Sequence, residues 1–514
     1  MFNFVYKNLH QNVFKFFFRQ SSSTIFALAS GLNQKCGVAV VRVSGKSTHE
    51  VLLRLTKHSK NLYEPRKMYF RDIWHPITNE KIDKSLIVWF KEPKSFTGED
   101  VCEFHVHGGP AIISSLLNAL STFDDLRYAE PGEFARRAFL NGQMDLVEIE
   151  GLADLVNAET EMQRKQALSQ MEGNLSKIYK DWREKIIKSL ANVEAYIDFN
   201  EEENVEDNVL DEGEQIVRGL IESIRSHLND NRRGERLRSG VRVAIVGQPN
   251  AGKSSLLNAI CRRRAAIVSP IPGTTRDVIE SAINIAGYPI ILVDTAGLRE
   301  TSDLVEIEGV MRACSNIESS DVIIVVIDLN KFYNDILNKG FSNFLNEHLN
   351  EKFSVFLKYF EKKESDIEKW LSGKEIVVSL NKKDLIKQSQ IDDLENRINS
   401  EKCEFKVSLN KISCLDEQEN DISELLDQLK DKLSLLCTND VSEQPSLTQQ
   451  RHRDMLTKCI VSLENYLEKR HNEDDLALAA EELRLAVRWL GTITGHVSTE
   501  QILDVIFKDF CIGK

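Results

Sequence analysis

Several features that define other protein classes are missing from this 514-residue sequence. No apolar stretch approaches eighteen residues, which argues against a membrane-spanning helix. The nine cysteines include no C-x-x-C pair, so a reducing compartment fits them better than a disulfide framework. Lys and Arg number 66 against 79 Asp and Glu, and the net charge of −13 argues against a broad basic surface for nonspecific nucleic-acid binding.

Acidic residues are also absent from the first 49 positions. Lys7, Lys15 and Arg19 alternate there with apolar residues rich in Phe, and three serines follow. This basic, amphipathic composition predicts a mitochondrial transit segment at residues 1–23 and a location in the mitochondrial matrix. A secretory signal is the alternative, although the apolar residues are often interrupted and no small-residue cleavage pattern is present.

The most informative segment that is present is Gly247-Gln-Pro-Asn-Ala-Gly-Lys-Ser254. It follows the predicted strand Val241–Val246 and precedes a predicted helix, which is the context that a phosphate-binding loop requires. Its glycines let backbone N–H groups surround phosphate, Lys253 supplies a cation, and the Ser254 hydroxyl is suited to Mg²⁺. The sequence therefore predicts a nucleoside triphosphate site.

A second motif, Asn381-Lys-Lys-Asp384, indicates which base is bound. It follows the apolar segment Glu375–Leu380, and a loop at the carboxyl end of a strand is where a base binds in such folds. The Asp384 carboxylate is suited to accept both N1–H and N2–H of guanine, a donor pair that adenine lacks. Ser413, which is followed by Cys414, is predicted to make a weaker contact on the base side of the site.

Two further strings lie between these motifs and complete the pattern of a GTPase. Pro272-Gly-Thr-Thr-Arg-Asp277 supplies a pair of threonines for Mg²⁺ and the γ-phosphate, and Asp294-Thr-Ala-Gly297 follows a predicted strand. The predicted Mg²⁺ ligands are Ser254 and Thr275. The predicted GTP-binding residues are Asn250, Ala251, Gly252, Lys253, Ser254, Ser255, Ser269, Thr274, Thr275, Asp294, Thr295, Ala296, Gly297, Asn381, Lys382, Asp384 and Ser413.

One catalytic group of many GTPases is missing. Ras-like proteins carry a water-orienting glutamine directly after the glycine of Asp-x-x-Gly, and this sequence has Leu298 there. An aliphatic side chain cannot orient water. Either a partner supplies the group, or an acid of the following segment does so. The local candidates are Glu300, Asp303, Glu306 and Glu308.

Five strings outside the nucleotide-binding part carry a family resemblance. They are Ser95-Phe-Thr-Gly-Glu-Asp100, His107-Gly-Gly-Pro110, Pro131-Gly-Glu-Phe134, Arg137-Ala-Phe-Leu-Asn-Gly142 and Phe510-Cys-Ile-Gly-Lys514. Together with the three phosphate-side strings, and in their order, they resemble the MnmE (TrmE) family of tRNA-modification GTPases. The resemblance extends from about residue 24 to the end of the chain.

The resemblance implies a homodimer that helps to modify the wobble uridine of certain tRNAs at C5, with an FAD-dependent MnmG (GidA)-type partner. It implies a potassium ion in place of an arginine finger. It selects Glu306 as the residue that orients the attacking water. The potassium ligands that it implies are Asn250, Ser269, Ile271 and Thr274.

The resemblance also implies a 5-formyltetrahydrofolate pocket, in which Arg42 and Glu103 match folate-contacting positions. Gln143 stands where the family commonly has a lysine, which removes a cation suited to the folate carboxylates. Cys511 and Lys514 match functional positions, and a thiol at Cys511 is suited to assist uridine chemistry. A prenylation box and a frayed chain end are the alternatives at this terminus.

Residues Val101–His107 alternate as a strand does. Glu103, His105 and His107 share one face, which allows a metal site. The alternative is a solvated or hydrogen-bonded strand face, because a clear third ligand is missing.

The predicted fold is multidomain: an α+β N-terminal folate-binding-like domain, an all-α helical domain and an inserted α/β P-loop GTPase domain. After the transit segment, the N-terminal dimerisation domain covers residues 24–142. The helical domain covers residues 143–240 and 433–514. The GTPase domain covers residues 241–432 between them.

Three segments carry further structural predictions. Apolar residues spaced by threes and fours from Leu168 to Ile197 predict one long helix. The acidic run Glu194–Glu214 predicts a solvated connection without chemistry. The polar stretch at residues 328–375 predicts a peripheral elaboration of the GTPase domain.

Two other functional classes remain open. A ribosome-assembly GTPase of the Era or EngA type shares the central motifs but is expected to carry a basic, KH-like RNA-binding module. A nucleotide-gated scaffold uses hydrolysis only to time the docking of partners.

Overall fold

The computed structural model describes most of the chain, and we describe only that part. The described residues are 23–30, 35–58, 63–199, 208–262, 280–294, 314–349, 373–400, 407–414, 419–438, 445–471 and 475–497, with 503, 506–507, 510 and 513 beyond them. The chain divides into two compact units. The first comprises Met1–Ala153, Gln170–Glu184 and Val487–Lys514, and the second comprises Asp154–Ser169 and Lys185–Ala486.

The first unit contains a six-stranded sheet with the order β3-β4-β5-β2-β1-β6. Neighbouring strands are antiparallel, except that β1 and β6 are parallel. The strands are β1 (Thr24–Leu28), β2 (Cys36–Ser44), β3 (Met68–Trp74), β4 (Lys81–Phe90), β5 (Val101–Gly108) and β6 (Leu126–Tyr128).

Helices α1 (Thr48–Thr56) and α2 (Pro110–Ser121) cover one face of this sheet. The alternation predicted for β5 is confirmed, since Cys102, Phe104 and Val106 are at most 1% exposed and pack in this core. Successive strand side chains point to opposite faces, so the intervening polar residues lie on the other face.

Six helices follow before the second sheet. They are α3 (Glu133–Leu140), α4 (Leu146–Asn157), α5 (Glu161–Met171), α6 (Asn174–Phe199), α7 (Asn208–Leu228) and α8 (Arg233–Ser239). The prediction of one long helix from Leu168 to Ile197 is wrong, because the chain turns between α5 and α6. Gly173 at that turn has a φ of +80°, a left-handed conformation that side chains with a Cβ rarely adopt, so glycine is favoured there.

The acidic run Glu194–Glu214 is not simply a connection. Its described residues lie in α6 and α7, on either side of residues 200–207, which lie outside the described part. Glu194 pairs with Arg484 at 2.8 Å, and Glu214 pairs with Arg470 at 2.6 Å. These acids therefore hold helices together, a role that a charge count does not reveal.

The second unit contains a sheet with the order β12-β11-β10-β7-β9-β8, in which only the β8–β9 pair is antiparallel. The strands are β7 (Val241–Gly247), β8 (Glu280–Ile285), β9 (Tyr288–Asp294), β10 (Val322–Asp328), β11 (Glu375–Asn381) and β12 (Val407–Ile412). The associated helices are α9 (Lys253–Arg262), α10 (Leu329–Lys339), α11 (Gln388–Ser400) and α12 (Glu419–Cys437).

Apolar clusters cover both faces of this sheet. Alternate residues of β10 enter different clusters: Val322, Ile324 and Val326 enter one, and Ile323, Val325 and Ile327 enter the other. Continuous apolar strands are typical of parallel sheets that are buried on both sides. The α/β architecture predicted for this part of the chain is confirmed.

The predicted return of helices is also confirmed, by α13 (Gln450–Lys469) and α14 (Leu476–Thr494). Leu456, Cys459 and Leu463 of α13 are fully buried. Arg453 of α13 bonds Asp230 at 2.7 Å, just beyond the end of α7. Among the residues described, none of the helices has the length and apolar character needed to cross a membrane.

Candidate nucleotide-binding site

The candidate site lies at the carboxyl ends of the strands of the second sheet. The chain leaves the central strand β7, forms the loop 248–252 and enters α9. The strand order reverses beside β7, and the crevice outside such a reversal is the usual binding place in open α/β sheets. The first backbone N–H groups of α9 lack partners within the helix, which suits this end to an anion.

Close approaches within the phosphate loop explain its glycines. A Cβ at Gly247 would overlap the Val326 carbonyl, and a Cβ at Gly252, where φ is +102°, would overlap the Asn381 amide. The Lys253 ammonium donates to the carbonyl oxygens of Gly247 and Gln248, each at 3.0 Å. The backbone is therefore packed against β10 and β11 in the form that the motif predicts.

On the base side, the predicted residues come together around Asn381. This side chain is 2% exposed, and its Nδ2 donates to the Ala251 carbonyl at 2.8 Å. Its Oδ1 is buried without a hydrogen-bond partner in the described structure. Ser413 Oγ lies 2.7 Å from Asp384 Oδ1. The loops after β7, β11 and β12 thus form one site.

Sequence reasoning missed two residues beside these loops. Asp328 accepts the Lys382 ammonium at 2.5 Å, and Asp421 accepts the Ser413 N–H at 3.0 Å. Burial and the Asp384 carboxylate raise the pKa of the Cys414 thiol to about 11, against the smaller opposing effect of a hydrogen bond with Asn381. The position of Asp328 at the end of a strand was the available signal.

Several predicted residues lie outside the described part of the chain. They are Ser269, Ile271, Thr274, Thr275, Thr295, Ala296, Gly297 and Glu306. Asp294 ends β9, where its backbone pairs in register with Ile245 beside the phosphate loop. Ser254 and Ser255 are exposed in the first turn of α9. Asn250 is exposed and has a φ of +64°.

The folate positions lie in the first unit, on the sheet face opposite to the helices. Arg42 pairs with Glu103 at 2.9 Å across β2 and β5. The guanidinium also lies 5.2 Å from the Phe96 ring centre and 5.6 Å from that of Phe134. Gln143 is exposed after α3. A cationic group between aromatic rings is therefore present, already paired with a carboxylate.

The two histidines beside Glu103 differ, since His107 is hydrogen-bonded and Nε2 of His105 is not. His107 Nδ1 lies 2.9 Å from Asp83, and His105 Nε2 lies 3.6 Å from Glu103. In the described residues no group of three or more His, Cys, Asp or Glu is placed to hold a metal ion.

The terminal segment is partly described. Cys511 and Lys514 lie outside the described residues, but Phe510 is 7% exposed and a Cβ at Gly513 would overlap the Leu28 carbonyl. Phe510 packs in the cluster that includes Ala135 of α3. The reading of a frayed chain end is wrong, because these residues are packed within the first unit.

Comparison with known proteins covers nearly the whole chain. Residues 24–143 match the family model described as the GTP-binding protein TrmE N-terminus, and residues 146–511 match that of the MnmE helical domain. This chain belongs to the MnmE/TrmE family of GTPases.

Individual MnmE/TrmE relatives are similar along their full length. The mitochondrial 5-taurinomethyluridine-tRNA synthase subunit GTPB3 of Danio rerio is 48% identical, over 96% of this chain and 93% of that protein. The Homo sapiens protein of the same name is 44% identical, over 96% and 94%. The tRNA modification GTPase MnmE of Rickettsia typhi is 41% identical, over 96% and 100%.

Three of the five MnmE/TrmE strings outside the nucleotide site meet in one ionic network. Arg137 pairs with Glu99 at 2.8 Å and with Glu133 at 3.0 Å, and Arg127 pairs with Glu133 at 2.6 Å. Burial raises the pKa of Glu133, but bonds from Arg127, the Glu130 backbone and Arg137 outweigh it and hold this pKa below its usual value. These motif residues hold the N-terminal unit together.

Proposed function

We propose that this chain is the GTP-hydrolysing subunit of a mitochondrial complex that modifies the wobble uridine of tRNA at C5, of the carboxymethylaminomethyl or taurinomethyl type. The observation that carries the nucleotide part is the junction of Asn381 with Ala251, beside Asp384 and Ser413. The names of the full-length relatives support the tRNA substrate.

The geometry suits guanine. The exposed Asp384 carboxylate, oriented by Ser413, offers acceptor oxygens for N1–H and N2–H of the base. The buried Asn381 Oδ1, which lacks a partner in the described structure, and the Nδ2 beside it flank the same position. In this proposal Lys382 packs along the base, and Lys253 leaves its carbonyl partners for the β- and γ-phosphates.

The proposed cation ligands are partly described. Mg²⁺ is assigned to Ser254 and Thr275, and bound Mg²⁺ would neutralise developing phosphate charge. Potassium is assigned to Asn250, with Ser269, Ile271 and Thr274. Asn250, exposed in the loop 248–252, is the one member of this set that lies in the described part of the chain.

The catalytic water is assigned to Glu306, because Leu298 cannot orient it. Replacing Glu306 by Ala is expected to leave GTP binding intact and to slow hydrolysis. Hydrolysis in K⁺ is expected to exceed hydrolysis in Na⁺, with dimerisation of the GTPase domains on GTP. Equal rates in both salts would contradict the potassium assignment, and unchanged turnover of the variant would return the role to the neighbouring acids.

The remaining assignments concern the first unit and the partners. We assign 5-formyltetrahydrofolate or a related folate to the face of Arg42 and Glu103, with Lys514 and, more weakly, Gln143. Cys511 is assigned to uridine chemistry. The protein acts as a homodimer in the mitochondrial matrix with an FAD-dependent MnmG/GidA-type partner.

Depletion of the protein followed by mass spectrometry of mitochondrial tRNA tests the proposal. Loss of the wobble-uridine modification, restored by the unmodified gene, is expected. Intact modification together with defective ribosome assembly would instead support the Era/EngA-like alternative. If a hydrolysis-deficient variant restores the wobble-uridine modification, the alternative of a nucleotide-gated scaffold is supported.

A further inference from the structure

Helix α10 begins at the base side of the nucleotide site. Asp328, the last residue of β10, caps this helix by accepting the Lys331 N–H at 3.2 Å. The same carboxylate accepts the Lys382 ammonium at 2.5 Å. The helix also packs against the short 3-10 turn Lys383–Leu385, which contains Asp384. The segment predicted to be peripheral therefore starts beside the residues assigned to the base.

The same helix contacts the phosphate loop. The Lys331 ammonium lies 3.1 Å from Oε1 of Gln248, the residue that follows β7. Gln248, Lys331, Asp328 and Lys382, which we name the rim network, thus connect the phosphate loop with the base loop. This path is separate from the buried bond between Asn381 and Ala251.

Gln248 is held at two points. Its main-chain oxygen accepts from Lys253, and its side-chain oxygen accepts from Lys331. The phosphate role of Lys253 draws that ammonium away from the carbonyl when GTP binds. The contact with Lys331 does not depend on Lys253, so it continues to restrain this part of the loop around the phosphates.

We propose that Lys331 is a positioning residue for the bound nucleotide and acts through Gln248 on the phosphate loop. The proposal rests on the GTP site assigned above. Lys331 is exposed, and exposed polar contacts are screened by water. Loss of the contact is therefore expected to accelerate nucleotide release about two- to fivefold.

The test measures release of a fluorescent GDP from the full-length protein by stopped flow. Lys331→Ala and Gln248→Ala are each expected to speed release, and the double variant is expected to be no faster than either alone. Lys331→Arg should retain slow release. The matched control is Lys339→Ala, an exposed lysine of the same helix that pairs with Glu347.

A merely structural role predicts a different result. Melting without nucleotide should be the same for Lys331→Ala and Lys339→Ala, because the proposed effect concerns the bound state. Release at the original rate, equal acceleration by Lys339→Ala, or effects that multiply in the double variant would each overturn the proposal. Failure of the unmodified chain to bind the probe would refute the GTP site itself, and the positioning role with it.

Discussion

The substitution Asp384→Asn tests which base the site binds. Ser413 Oγ lies 2.7 Å from Oδ1 of Asp384, so an amide at this position keeps its oxygen toward the Ser413 hydroxyl and its NH₂ group toward the base. Guanine presents two donors on that edge, and they would meet a donor. Xanthine carries an oxygen at C2, which accepts a hydrogen bond from the same NH₂ group.

The size of the effect follows from the bonds that change. A hydrogen bond to a charged group contributes about 1.5–3 kcal/mol, so losing two of them weakens guanine binding by at least about 3 kcal/mol. This corresponds to a loss of GTP affinity of roughly 100-fold or more. The Asp384 side chain is exposed, so the melting temperature without nucleotide should not change.

Competition of GTP and XTP against a fluorescent nucleotide measures both affinities. The Asp384→Asn variant is expected to bind GTP more weakly and XTP more tightly than the unmodified protein does. Asp392→Asn is the matched control, since it makes the same charge change on the exposed surface of α11, where Asp392 bonds Gln388. Unchanged GTP affinity would refute the assignment of Asp384 to guanine. If the variant binds neither GTP nor XTP while its melting temperature is unchanged, Ser413 does not orient the side chain at position 384 as proposed.

Three further predictions concern the second unit. Gly252→Ala forces a Cβ onto the Asn381 amide at a φ of +102°, so nucleotide binding should fall below detection in titration calorimetry while far-UV circular dichroism stays unchanged. Burial lowers the pKa of His227 to about 4, against the opposing effect of the Asp230 carboxylate and with smaller lowering effects from His452 and Arg453, so the folded state holds this ring neutral. The stability that this provides is complete above an unfolded pKa of about 6.5 and is lost as pH falls toward 4, by about 3 kcal/mol. Thermal melting should show a smaller acid-induced drop for His227→Gln, and an equal drop would contradict the assignment. Arg453→Met leaves Asp230 without its 2.7 Å partner in a partly buried position and should destabilise the second unit by about 3 kcal/mol in urea unfolding, whereas a change below about 0.5 kcal/mol would show that solvent screens the pair.

The nucleotide site was predictable because its residues follow strands. Parallel strands place their carboxyl ends at one edge of a sheet, so Asn381, Asp384 and Ser413 had to lie near the phosphate loop once three strands were recognised. The bond from Asn381 to Ala251 was not predictable. It depends on β7 and β11 lying two strands apart with β10 between them, and motif spacing does not contain that strand order.

Two other differences have local causes. The apolar spacing continues in phase across Gly173, and glycine inside a helical pattern does not by itself predict a break. The approach of the Glu148 side chain from α4 to this turn is a tertiary contact, which the spacing does not contain. Likewise the pairing of Arg42 with Glu103 needs the register of β2 against β5, and an error of one residue would place the two side chains on opposite faces.

The two connections between the phosphate loop and the base loop differ in physical character. Asn381 joins Ala251 through a neutral bond that is buried, so neither water nor salt competes with it and its loss leaves unsatisfied polar atoms. The rim network combines the ion pair of Asp328 with Lys382 and the charged contact of Lys331 with the Gln248 amide, and it is only partly buried, so water and salt weaken it. A site built in this way separates two properties. We therefore expect the buried amide to fix whether guanine nucleotides bind, and the exposed lysine on α10 to adjust how fast they leave without altering the fold that binds them.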